Sequence, residues 1–188
     1  MRQNLKTAVL MTIATTILLG VIYPLVVTGL AQLIFPTNAN GQLIFQNGKA
    51  IGSRIIGQPF TGDAYFHSRP SAAGNGYDAA NSGGSNYGPT NSKLIQQVVA
   101  RVSTEQVGKE PVPIDLVTSS ASGLDPDMAI AAAEYQVPRI ARARGLDELT
   151  LRALIRKHTA GRQLGFLGEP RVNVLELNLD LDRLAHSR

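Results

Sequence analysis

The chain has 188 residues, 18 of them basic and 14 acidic, with a sequence pI near 9.6 and neither cysteine nor tryptophan. Lack of cysteine excludes disulfides and CxxC zinc or redox chemistry, and three histidines without paired spacing argue against a histidine-rich metal site. Setting Arg2 and Lys6 aside leaves 16 basic against 14 acidic residues, so the remainder is nearly neutral and bulk charge calls for no nucleic acid.

The N-terminal segment dominates the pattern. Ala8 to Phe35 is a run of 28 residues without Asp, Glu, Lys or Arg, and no charge returns until Lys49. A bilayer core about 30 Å thick is crossed by about 20 apolar helical residues. A single transmembrane helix over 8–33 is therefore expected. The rival is a cleaved secretory signal, whose apolar core spans only about 7–15 residues. Gly29-Leu30-Ala31 and Thr37-Asn38-Ala39 could serve as its cleavage site. The length of the run favours a retained anchor. Gly20, Thr28 and Gly29 are small enough to let a neighbouring helix approach, and Pro24 is a kink that membrane helices tolerate. Arg2 and Lys6 precede the span, so the positive-inside rule keeps residues 1–7 cytoplasmic and puts residues 37–188 outside.

Beyond the span, Pro36–Gly41 is rich in turn formers. Asn47-Gly48 between two apolar runs, 42–45 and 50–56, predicts a β-hairpin. Residues 58–91 are dense in Gly, Ser and Asn, yet Phe60, Tyr65, Phe66, Tyr77 and Tyr87 recur through them. Such anchors distinguish an ordered irregular loop from a flexible linker. Asn91 or Ser92 caps a helix with Leu94, Ile95, Val98, Val99 and Val102 on one face. Pro111–Pro113 leads into an expected short strand over 114–118. Asp125-Pro126 reads as the start of a helix through 129–136, which Pro138 breaks or kinks and after which Gly145 stops a further stretch. Asp147 caps a helix carrying Leu151, Leu154 and Ile155. Residues 172–181 alternate from Leu175 in the manner of a half-buried strand, although Leu177, Leu181 and Leu184 also suit a helical turn. The expected fold is α/β mixed, with few and short strands.

Chemistry is sparse. Neither a GxxxxGK[ST] phosphate loop nor a GxGxxG fingerprint occurs. Arg139, Arg142, Arg144, Arg152, Arg156, Lys157 and Arg162 have no interleaved aromatics, so they read as a solvated helix face rather than a nucleic-acid platform. Asp63, His67 and Ser68 are the raw material of a nucleophile and base. Adjacent His-Ser on an extended segment point to opposite sides, which opposes direct pairing. Ser82–Asn86 (SGGSN) could form a backbone N–H nest for an anion, or only a tight turn.

Taken together, Tyr23-Pro24 within the span, GQPFTGDAYFHSRPSA (57–72), SGGSN (82–86), VTSSASGLDPD (117–127), QVPRIARARGL (136–146) and GEPRVNVLELNLDLD (168–182) occur in an order that resembles the KdpC family, a subunit of the high-affinity potassium-translocating P-type ATPase. The resemblance runs from anchor to C-terminus. Departures are His67-Ser68 in place of His-Gly and a short connector over 103–113.

It implies a non-catalytic accessory subunit of the bacterial inner membrane, needed for assembly and stability of the complex. Its partners would be a channel-like potassium-binding subunit, a P-type ATPase subunit and a very small single-span subunit, with lipid around the helix. ATP, Mg and K would then belong to the complex, and this chain would hold no cofactor of its own. The composition agrees: one helix encloses no ion path, and no DKTG phosphorylation motif is present. Carried onto this sequence, the motifs make Gln58, Phe60, Tyr65, Phe66, His67, Ser68, Arg69, Pro70, Ser82, Gly83, Gly84, Ser85 and Asn86 interface candidates, and Gly20, Pro24, Thr28 and Gly29 helix-packing candidates. The alternatives are a nucleotide-binding helper that raises the ATPase subunit's affinity, a role the family also suggests, and a membrane-anchored exported hydrolase.

Overall fold

The computed structural model describes residues 1–106 and 108–186, apart from the side chains of 185 and 186. The chain divides into two compact units, Met1–Ile51 and Gly52–Arg188.

The first unit is built on helix α1 (Arg2–Ile17), a five-residue π segment (Leu18–Ile22) and helix α2 (Tyr23–Ile34). They form one helix of 33 residues, Arg2–Ile34, long and apolar enough to cross a membrane and with none of its apolar window buried. The π segment has a local cause. Pro24 has no N–H to give to the carbonyl four residues back, and its ring crowds that carbonyl. The wider turn just before it, in which the Tyr23 N–H donates to the Leu18 carbonyl, absorbs the misfit without breaking the helix. A helical turn α3 (Pro36–Ala39) follows, then the expected hairpin of β1 (Leu43–Gln46) and β2 (Lys49–Ser53). Asn47 and Gly48 have φ of 51° and 76°, the left-handed pair that a two-residue hairpin turn requires.

The second unit opens with the irregular segment, whose only regular piece among the described residues is a 3-10 turn, Ala79–Asn81. Helix α4 (Ser92–Glu105) is capped by Asn91, whose side chain accepts from the Lys93 N–H. Then come α5 (Ile114–Val117), β3 (Asp127–Ala129), α6 (Ile130–Arg144), α7 (Glu148–Lys157), β4 (Thr159–Ala160), β5 (Arg171–Asn173) and α8 (Val174–His186). Strand β5 is central in an antiparallel sheet ordered β3-β5-β4, with Val172 opposite both Met128 and Thr159. The core joins α6, α7 and α8 to this sheet through Met128, Val137, Ile140, Leu151, Ile155, Val172, Leu177 and Leu181, all at most 2% exposed.

Four elements differ from expectation, each for a physical reason. Residues 114–117 form a helical turn instead of a strand. That turn sends Leu116 and Val117 inward and lets the Asp115 carboxylate accept from the Ala129 N–H at 2.8 Å. Asp125 does start a turn, accepting from the Asp127 N–H, but residues 127–129 are then claimed by the ladder with β5, so the helix begins at Ile130. Pro138 does not break α6. Its exposed position leaves the freed carbonyl one turn back on the water side. The segment after Asn173 is helix rather than alternating strand. Asn173 caps it by accepting from the Glu176 N–H, and Val174, Leu177 and Leu181 recur at helical spacing on the buried side. Gly145 ends α6 in the left-handed conformation and Asp147 caps α7, both as the sequence indicates.

Candidate functional site

The irregular segment is held rigidly onto the helical body. Phe66 is fully buried, and its backbone is satisfied by one side chain: the Phe66 N–H donates to Asn178 Oδ1 and Asn178 Nδ2 donates to the Phe66 carbonyl, each at 2.9 Å. One residue on, Gln136 repeats the device. Its Oε1 accepts from the His67 N–H at 2.7 Å and its Nε2 donates to the His67 carbonyl at 3.1 Å. Two buried amides thus stand in for a neighbouring strand, because backbone polar groups in a core must be paired.

Arginines complete the clamp. Arg139 donates to the carbonyls of Gly62, Asp63 and Tyr65 and to Gln136 Oε1. Arg144 donates to the Ala64 carbonyl at 2.6 Å, pairs with Asp182 at 2.8 Å and lies 4.6 Å above the Tyr65 ring, which in turn touches Phe60. These two residues correct the reading of the basic cluster as a solvated face. Arg152 bridges Glu134 and Glu148, Lys157 pairs with Asp180 and Arg162 with Glu169.

The hydroxyls are committed as well. Tyr77 OH donates to the Arg69 carbonyl, which makes Ser68 the donor in the 2.6 Å bond between Ser68 Oγ and Tyr77 OH. Burial pushes the Tyr77 phenol pKa up, keeping that proton in place. His67 Nε2 lies 2.9 Å from the Gly62 carbonyl. His67 and Ser68 therefore address different partners. Ser71 Oγ donates to the Gly123 carbonyl and accepts from the Tyr77 N–H.

The SGGSN stretch runs edge to edge with residues 120–123. The Gly83 N–H donates to the Ser122 carbonyl at 2.8 Å, and Ser82 Oγ donates to the same oxygen. At Gly84 a Cβ would meet the Ala121 carbonyl oxygen at 2.8 Å, whereas at Gly83 it would point into open space. Ser82 and Asn86 are exposed, and Asn86 takes a left-handed φ of 53°.

Arg69 lies in an open groove of about 400 Å³ that also includes Asp115, Asp125, Asp127 and Arg171. Its contacts there are long: 3.5 Å to Asp125 and to Thr118, and 3.9 Å from Nε to Asp115. Its buried Nε has no hydrogen-bond partner. Among the described residues no group of three or more His, Cys, Asp or Glu is arranged to hold a metal.

The structure thus brings Phe60, Tyr65, Phe66, His67, Ser68, Arg69 and Pro70 into one layer and sets Ser82–Asn86 against a separate loop. Phe66 serves the core; Gln58, Phe60, Tyr65, His67, Arg69 and Pro70 are partly accessible. In the apolar helix, Gly20, Pro24 and Thr28 follow a four-residue stripe and Gly29 lies off it; a Cβ at Gly29 would meet nothing within 4 Å. The sequence reading did not single out Gln136, Asn178, Arg139 and Arg144 as holders of the loop. The polar residues 136 and 178, set among apolar helical positions, were the available signal.

A family model described as "K+-transporting ATPase, c chain" matches residues 5–183. A protein of Koribacter versatilis described as a potassium-transporting ATPase KdpC subunit is 66% identical over 97% of this chain and 95% of its own length. Proteins with the same description from Acidobacterium capsulatum and Rhodospirillum rubrum are 63% and 54% identical, over 97% and 99% of this chain and 99% and 100% of their own lengths.

Proposed function

This chain belongs to the K+-transporting ATPase c-chain family, and from that premise we propose that it is a non-catalytic accessory subunit that assembles and stabilises a potassium-importing P-type ATPase. In this reading it is a single-pass protein of the bacterial inner membrane with residues 1–7 cytoplasmic and 37–188 outside. It bridges a channel-like potassium-binding subunit and the ATP-hydrolysing subunit, beside a very small single-span subunit. ATP, Mg and K act on the complex.

The observation that supports this most is the state of the 57–86 layer. The Ser68, Ser71 and Tyr77 hydroxyls are bonded within the chain, and Asn178, Gln136 and Arg139 hold much of the backbone of residues 62–67. Groups so engaged suit a preorganised docking surface, which loses little entropy on binding. Phe60, Tyr65 and Arg69 are of the types that anchor interfaces. Gln58, His67 and Pro70 flank them and are partly accessible, and Ser82–Asn86 offer a second candidate patch on the 120–123 loop. The alternative, phosphate held by the Gly83-Gly84 amides, has one of those amides already given to Ser122.

Co-purification of the complex tests the reading. Charges inserted at exposed positions by Ser82→Arg with Asn86→Arg are expected to release this chain from its partners while its own thermal transition persists. An intact complex with weakened ATP dependence would support the nucleotide reading instead.

A further inference from the structure

The first unit carries a feature apart from the candidate docking layer. Immediately after Ile34 the chain folds back: the side-chain amides of Gln32 and Asn40 pair reciprocally at 3.2 and 3.1 Å, and Asn40 Nδ2 also donates to the Pro36 carbonyl at 2.7 Å. This tie holds α3 against the last turn of α2 and leaves an open groove of about 360 Å³ lined by Pro36, Thr37, Asn40, Leu43 and Phe45. The lining is mainly apolar, with Pro36, Leu43 and Phe45 joined by the Thr37 hydroxyl and the Asn40 amide. Leu43 is 48% exposed and Phe45 62%, beside Phe35 at 60%.

We propose that this groove is a lipid subsite, taking the glycerol-ester region and first acyl methylenes of a bilayer phospholipid, so that residues 35–45 lie within the membrane interface. The occupant follows from continuity and charge. The groove begins two residues beyond a helix of membrane-spanning length, so its apolar wall continues the surface of that helix. Exposed to water, the wall would forgo the gain that burial of apolar surface brings. At the interface Leu43 and Phe45 leave water while Thr37 and Asn40 keep polar neighbours. No Asp, Glu, Lys or Arg occurs from Thr7 to Gly48, so nothing in the groove distinguishes one headgroup charge from another. Ester carbonyls can accept from the Thr37 hydroxyl while Leu43 and Phe45 meet methylenes.

The proposal rests on the helix crossing the bilayer, and the experiment separates the two claims. The chain has no tryptophan, so Phe45→Trp and, separately, Val26→Trp place a single reporter in the full-length protein. Each is reconstituted into phosphatidylcholine vesicles containing lipids brominated either near the glycerol or near the acyl-chain end.

The expected result is blue-shifted emission at position 45, quenched more by the shallow bromines than by the deep ones, and unchanged when phosphatidylglycerol is added. Position 26 should be quenched by the deep bromines. Adding Asn40→Ala to Phe45→Trp, which unties the groove wall, is expected to lose quenching at 45, while Val26→Trp with Asn40→Ala stays quenched. Water-like emission at 45 with position 26 still quenched overturns the lipid subsite alone. Quenching at 45 unchanged by Asn40→Ala, or dependent on anionic lipid, also overturns it. An unquenched position 26 removes the membrane-spanning reading and the subsite with it.

Discussion

The Asn178 side chain and the Phe66 backbone exchange two hydrogen bonds of 2.9 Å in a fully buried setting, joining residues 112 positions apart in sequence. This pair sets the position of the irregular layer on the helical body, and it leads to a direct test. Asn178→Leu fills the space but strands a buried N–H and a buried carbonyl, at about 1–3 kcal/mol each. Thermal unfolding of the full chain in detergent, followed by tyrosine fluorescence, should show the loss. Asn178→Asp, which buries a carboxylate against the Phe66 carbonyl, is expected to cost at least as much at neutral pH.

Arg139 holds the carbonyls of Gly62, Asp63 and Tyr65 from outside. Arg139→Ala is expected to loosen that stretch with little change in the body. Hydrogen exchange should quicken at residues 61–66 and stay slow in α6 and α8. Arg139→Lys should give only part of the protection back, since an ammonium lacks the planar fork that reaches several carbonyls at once.

The two glycines of the SGGSN motif should differ sharply. Gly83→Ala points its methyl into open space and is expected to be nearly neutral. Gly84→Ala drives a Cβ to within 2.8 Å of the Ala121 carbonyl oxygen. Backbone on both sides must then shift, at a cost of about 1–3 kcal/mol. Melting temperature separates them. Equal effects would mean the 82–86 and 120–123 strips are not in register as described.

Asp180 accepts from Lys157, His158 and Arg183, and these partners, Lys157 foremost, hold its pKa down to about 2. A carboxylate depressed below its unfolded value of about 3.9 adds stability above that value and loses it as pH falls toward the folded pKa. Asp180→Asn should therefore lower stability at neutral pH, and the gap to the unmodified chain should close between about pH 4 and pH 2. Asp127, whose pKa burial raises, works in the opposite sense near its own titration and blunts the slope of the unmodified chain. Denaturation midpoints measured across that range read the difference.

Legibility in the sequence followed locality. The apolar helix, the Asn47-Gly48 hairpin, the Asn91 and Asp147 caps and the Gly145 stop are each set by a few adjacent residues, and all could be read. Residues 174–181 were harder. Apolar positions 175, 177, 179 and 181 alternate, yet the helix buries the adjacent pairs 174–175 and 177–178 together with 181 and leaves 179 partly exposed, and Asn173 with Glu176 was the cap signal that decides it. Val172–Asn173 fall at the start of the segment read as strand, and they are strand because they pair with β3 and β4, which lie 45 and 13 residues upstream. The candidate layer was recognisable as ordered from its aromatics. What orders it was not, because Gln136, Arg139, Arg144 and Asn178 act across about 70 to 112 positions and no spacing rule links such distances.

The most direct measurement removes this chain from cells that express the remaining subunits and asks whether those subunits still co-purify. The accessory-subunit reading predicts that the channel-like and ATP-hydrolysing subunits separate, and that restoring the full-length chain rejoins them. A stable complex without it, hydrolysing ATP with only a raised KM for nucleotide, would contradict that reading.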